Sequence, residues 1–227
     1  MKSLPISFTK TQRNLGWFWW AFQLILLPLL LTEGNRYLGS PVSEAELNFI
    51  FFGLNFAATT LILGRFALNS CKAGLRRVFY TLQSAFLGFA LYYLAKLLLG
   101  LATVYLFPDY VNQNDSAISL LLREAPLLMR IGLILLVPIT EELLYRGVIF
   151  GSLHIRSRLL AYILSAVLFS VVHIIGYLPD PLTFVISFVQ YLPAGLCLAW
   201  AYERSGSILA PMLMHIAINQ IGTQLMR

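Results

Sequence analysis

Charge is what this sequence has least of. Only 11% of its 227 residues are Asp, Glu, Lys or Arg, against 59% hydrophobic, and its mean hydropathy is +0.77. Soluble domains average about 25% charged residues, so a water-soluble globule is excluded and a polytopic membrane protein is implied. Cysteine is nearly absent. Cys71 and Cys197 have no cysteine or histidine near them at metal-ligand spacing, which argues against a disulfide framework and gives a thiol nucleophile no support. A clustered basic patch is missing too. The net charge of +6 is scattered between apolar runs, so it concerns topology and membrane lipids, and no nucleic-acid partner is expected.

What the chain does contain is a series of apolar runs. Seven are long enough to be weighed against the ~30 Å hydrocarbon layer: residues 16–31, 47–63, 78–101, 126–153, 159–175, 182–202 and 208–224. The first is short and the fourth is interrupted by charge, so six and eight are the alternatives. The fold class is therefore all-α, a polytopic membrane helical bundle of about seven transmembrane helices. Lys2, Lys10 and Arg13 precede the first run as in a signal peptide, but no small-residue cleavage site follows, and an uncleaved first span is expected. Trp17, Phe18, Trp19 and Trp20 are expected to anchor that span at the headgroups.

The connecting segments differ in charge. Lys2, Lys10 and Arg13, then Arg65, Lys72, Arg76 and Arg77, then Arg156 and Arg158, then Glu203 and Arg204 fall on one side. Glu33, Arg36, Glu44 and Glu46, then Asp109, Asp115, Arg123 and Glu124, then Asp180 fall on the other. The positive-inside rule then puts the N-terminus in the cytoplasm of a cell with this protein in its plasma membrane. Lys96 and Arg130 fit this pattern less well and are expected to snorkel to an interface. Residues 107–116 are the most loop-like stretch. They divide the chain into residues 1–107, apolar helices without motifs, and residues 117–227, a C-terminal four-helix core that holds the unusual polar residues.

Those polar residues begin within 138–151, where Glu141, Glu142 and Arg146 interrupt an apolar run. A charge at a bilayer centre costs roughly 2.5–3.5 kcal/mol on insertion scales, so three in one span need a use. At 100° per residue Glu142 and Arg146 lie one turn apart on one face and can pair. Glu141 and Arg146 diverge by about 140°, which leaves Glu141 without a partner on its own helix. Two further pairs follow at helical spacing, Phe169 with His173 and His215 with Asn219. His154, the third histidine, lies beyond the fourth span beside Arg156 and Arg158 and is expected at the interface. Pro138 and Pro211 precede Glu141 and His215. Each either kinks a helix, freeing the carbonyls of Ile134 and Ser207, or opens a helical segment at its first position.

A spare carboxylate, two histidines and an amide suit peptide hydrolysis without a covalent intermediate. Glu141 can take a proton from water, His173 can share that water and protonate the leaving amine, and His215 with Asn219 can donate to the oxyanion. Each polar residue alone is also explained as glue between helices; it is the set that points to chemistry. The three motifs, with the flanks Pro138-Ile-Thr, Arg146-Gly147 and Ile208-Leu-Ala-Pro211, resemble those of the CAAX-protease and bacteriocin-processing family of glutamic-type intramembrane endopeptidases. The resemblance covers about residues 126–220. It implies an all-helical membrane protease in which Glu141 and His173 activate water and His215 and Asn219 form the oxyanion site, with Glu142, Arg146 and Phe169 in support. The expected partners are membrane lipids and a peptide or protein substrate, lipidated or not. No cofactor is expected; zinc held by the carboxylates and histidines is the alternative, disfavoured because Glu142 is paired and no H-E-x-x-H is present. A second alternative is a non-enzymatic binding or bacteriocin-immunity protein of the same fold. A transporter would need inverted repeats or charged residues in both halves, and the motif-free first half argues against it.

Overall fold

A computed structural model describes residues 8–175 and 181–226; Lys2 and Asp180, used above for topology, lie outside them. Each of the seven apolar runs is helical over most of its length, with residues 173–175 and 208 in turns. Helices α1 (Lys10–Arg36), α2 (Glu44–Leu75) and α3 (Val78–Leu106) come first. Thr9 and Ser43 start α1 and α2 with capping boxes, their hydroxyls accepting from the backbone N–H groups of Gln12 and Glu46. These three helices and α9 (Pro181–Ser205) are each long and apolar enough to cross a membrane. Their outer faces remain apolar and open, with Leu61 and Phe79 both 87% exposed, as side chains in contact with lipid would be. This is an integral membrane protein.

The segment read as a loop over 107–116 is shorter than expected. Asn112 accepts a hydrogen bond from the Asp115 N–H and caps α4 (Gln113–Glu124), a polar helix ahead of the next span. Arg65 and Lys72 likewise lie inside α2, and Glu203 and Arg204 inside the last turn of α9.

The charged run folds into one rod over residues 126–154, and it is not simply α-helical. It consists of α5 (Pro126–Ile131), a π-helical turn (Gly132–Leu136), α6 (Val137–Glu141), a second π-helical stretch (Glu142–Phe150) and α7 (Gly151–His154). All nine residues of the second π stretch are buried, including Glu142 and Arg146. The rod is therefore the centre of the bundle, with α1, α2, α8 (Arg158–Val172), α9 and α10 (Leu209–Leu225) packed around it. α3 packs on α9 and α10.

Close approach depends on small residues. A Cβ on Gly195 of α9 would lie 2.7 Å from the Ala166 Cα on α8, so only glycine lets these helices touch there. Three of the expected interface tryptophans pack inward instead. Trp17, Trp19 and Trp20 rest on the cores around Leu144 and Tyr145, and Phe18 faces out. His154 is also buried rather than interfacial: its Nε2 is 2.9 Å from Glu203 Oε1, and Arg158 and Tyr162 donate to the same carboxylate.

Candidate active site

Arg146 lies in a dry setting, with no solvent exposure on either it or Glu142. Its Nη1 donates to Glu142 Oε1 at 3.2 Å, its Nη2 donates to the Gly195 carbonyl at 3.2 Å, and its guanidinium covers the Phe169 ring at 4.5 Å. The angular argument that separated Glu141 from Arg146 assumed an α-helix. From Glu142 onward the turn widens to i→i+5 hydrogen bonding, and that argument lapses. Arg146 turns its two terminal nitrogens to Glu142 and Gly195, and its Nε has no hydrogen-bond partner among the described residues.

His215 bridges the two acids. Its Nδ1 is 2.8 Å from Glu142 Oε1 and its Nε2 is 3.8 Å from Glu141 Oε2. A carboxylate only accepts, so Nδ1 carries the hydrogen and Nε2 points at Glu141. At 3.8 Å there is no direct hydrogen bond. Glu141 Oε2 accordingly has no hydrogen-bond partner, and the Glu141 side chain keeps 20% exposure. Glu141, read in the sequence as lacking a partner on its own helix, makes no hydrogen bond through Oε2 among the described residues and faces His215 of α10.

His173 caps the C-terminus of α8. Its Nδ1 donates to the Phe169 carbonyl at 2.7 Å, which leaves Nε2 as an acceptor in the neutral ring. The imidazole lies between the Phe169 ring, at 4.6 Å, and the Tyr191 ring, stacked at 4.7 Å and 23°.

Asn219 differs from expectation. Its Nδ2 donates at 2.8 Å to the carbonyl of Leu133, a group of the rod rather than a vacant place. The physical cause is Pro138. In the first π turn the Val137 N–H reaches the Gly132 carbonyl five residues back; the next residue, Pro138, has no N–H, so that register strands the Leu133 carbonyl. The carbonyl bonded by Asn219 is thus the one at Leu133, not the expected one at Ile134. Pro138 sits within a continuous rod, whereas Pro211 lies in the first turn of α10, where no donor is lost.

Glu141, His173, His215, Asn219 and Phe169 border one cavity of about 130 Å³, together with Tyr92, Lys96, Asn114, Asp115 and Tyr191. The last five were missed by sequence reasoning. Lys96, exposed along α3, also borders this cavity; as the only charge in residues 78–101 it carried a signal. Tyr191 is held by α4: its hydroxyl accepts from Asn114 at 2.9 Å and donates to Asp115 at 3.3 Å. Burial pushes the Asp115 carboxyl above its ordinary pKa, and nearby Lys96 opposes that shift. Among the described residues no three His, Cys, Asp or Glu side chains gather closely enough to hold a metal ion.

The interior of this apolar helical bundle gathers an acid, two imidazoles and an amide around one cavity, a set able to activate water and to stabilise an oxyanion. Comparison with known proteins bears on the same segment. Residues 123–221, the segment that carries the three motifs, match the family model described as "Type II CAAX prenyl endopeptidase Rce1-like". The chain is 28% identical over 151 residues to "UPF0177 protein YxdF" of Lactococcus lactis, covering 65% of this chain and 76% of that protein. It is 25% identical over 205 residues to "Putative membrane peptidase YdiL" of Bacillus subtilis, covering 86% and 80% respectively. No solved structure matches the chain.

Proposed function

We propose that this protein is a glutamic-type intramembrane endopeptidase that hydrolyses peptide bonds of membrane-associated or lipidated peptides, with no metal. The observation that carries the reading is the unequal treatment of two adjacent acids: Glu142 is fully buried and held through Oε1 by Arg146 and His215, while the Glu141 side chain makes no hydrogen bond among the described residues, keeps 20% exposure and borders a cavity with His173 and Asn219. A water held between Glu141 and His173 Nε2 gives its proton to Glu141 as its oxygen adds to the substrate carbonyl carbon. The resulting oxyanion takes hydrogen bonds from His215 Nε2–H and from the second amide hydrogen of Asn219.

Since Nδ1–H of His215 is committed to Glu142, donation from Nε2 requires the imidazolium form. Arg146 and that imidazolium then balance the carboxylates of Glu141 and Glu142. The abstracted proton passes to the leaving amine through Glu141 or His173, the C–N bond breaks, and the acid and imidazole are restored. Prenylation of the substrate is not required by any of these steps. The loop charges support a cell-membrane protein with a cytoplasmic N-terminus.

The test is cleavage of membrane-associated peptides by purified protein carrying Glu141→Gln, His173→Ala or His215→Ala. Each variant is expected to lose at least about 10²-fold in rate while it still folds. An active Glu141→Gln protein would end the mechanism, and peptide binding without cleavage by the wild type would favour a binding or immunity role.

A further inference from the structure

Beside the cavity of the four polar residues lies a larger one of about 310 Å³, enclosed by α3, the connection after it, the start of α4, and α9. The two are contiguous, because Tyr92, Lys96, Asp115 and Tyr191 border both. Lys96 is the one lysine or arginine among the described residues that borders either. It stands ten residues before the end of α3 at Leu106, ~15 Å along the helix axis, which is deep for a charge in an apolar helix. Among the described residues it forms no ion pair, and its recorded contact is the Tyr92 ring at 5.9 Å. Asp115, the acid of the same cavity wall, accepts from the Tyr191 hydroxyl. Lys96 is exposed along α3 yet reaches the wall that the two cavities share, with Asp115 beside it, and a cation in an apolar span marks a ligand path more often than a structural contact.

Resting on the peptidase reading above, we infer that this chamber is a substrate subsite in which Lys96 binds a carboxylate of the peptide, within a few residues of the bond that is cut. The wall suits such an occupant. Leu99, Val104 and Phe107 offer apolar surface, and Asn112 and Gln190, whose amides bond to one another and to Thr103, each keep one N–H for a peptide backbone. In a low-dielectric chamber a charge-assisted hydrogen bond is stronger than in water, so one carboxylate decides which peptides are held. That carboxylate is either an acidic side chain or a free C-terminus, and the chemistry at Lys96 is the same.

Binding separates this inference from the reaction. Full-length Glu141→Gln protein in detergent is titrated with one fluorescent apolar decapeptide in three forms: free C-terminus without internal acid, C-terminal amide without internal acid, and C-terminal amide with one internal Glu. At least one carboxylate form is expected to bind tenfold or more tightly than the neutral form, and which one it is identifies the source. In Lys96→Met the preference should vanish, and in Lys96→Arg it should persist. Equal binding of all three forms, no binding by any, or a preference that survives Lys96→Met would overturn the subsite. Because Glu141→Gln needs no turnover to bind, failure of cleavage with the preference intact sinks the mechanism alone.

Discussion

Glu142 and His215, 73 residues apart, are joined by a 2.8 Å hydrogen bond that ties the central rod to α10. The same Glu142 oxygen also accepts from Arg146, so one carboxylate oxygen organises two cationic or cation-forming groups. This contact orients the imidazole whose other nitrogen faces Glu141.

Arg146→Ala removes the charge opposite a carboxylate that has no access to water. Breaking a buried pair by deleting one partner costs about 3–5 kcal/mol. The variant is expected to express poorly or to melt well below the wild type in detergent. An unchanged melting temperature together with unchanged activity would show that the pair does not hold the site.

The contact between Asn219 and the Leu133 carbonyl predicts a coupling. Asn219→Ala leaves a buried acceptor unsatisfied and is expected to destabilise by about 1–3 kcal/mol. Pro138→Ala restores a backbone N–H in the register of that carbonyl. Combined with Asn219→Ala, it should recover part of the loss, giving a coupling of about 0.5 kcal/mol or more in a double-mutant cycle. Strict additivity in the melting data would show that Pro138 does not strand the carbonyl.

Tyr191 holds the face of His173. Tyr191→Ala should lower kcat roughly 10²-fold through misplacement of the imidazole, with the protein still folded. Tyr191→Phe keeps the ring and loses only the hydroxyl contacts to α4, so its loss should be smaller. Equal activity of all three proteins would remove Tyr191 from the positioning of His173.

Metal dependence has a direct check. Purified protein dialysed against a chelator and assayed without added metal is expected to retain its full rate. A loss restored by zinc would overturn metal-free catalysis.

Several of these relationships were legible in the sequence. Glu142 with Arg146 and Phe169 with His173 are four apart, and local spacing is enough to bring such pairs together. The apolar runs announced helices because each run must satisfy its own backbone in lipid. By contrast, the first turn of α4 lay inside the stretch that read as a loop, since a short helix started by one Asn cap carries little hydropathy signal. Lys96 was visible as the sole charge of its span, yet hydropathy does not tell a snorkelling lysine from one that borders a cavity.

The amino-acid sequence alone determined that this is a helical membrane protein, which side chains pair within a turn, and which four residues are candidates for chemistry. Only the tertiary structure decided that Arg146 joins Glu142 to the Gly195 carbonyl, that Asn219 serves a stranded carbonyl, and that α3, α4 and α9 complete the cavity. The division follows from range. Helical periodicity fixes neighbours within one turn, whereas contacts between helices depend on how whole faces pack, and spacing along the chain does not encode that.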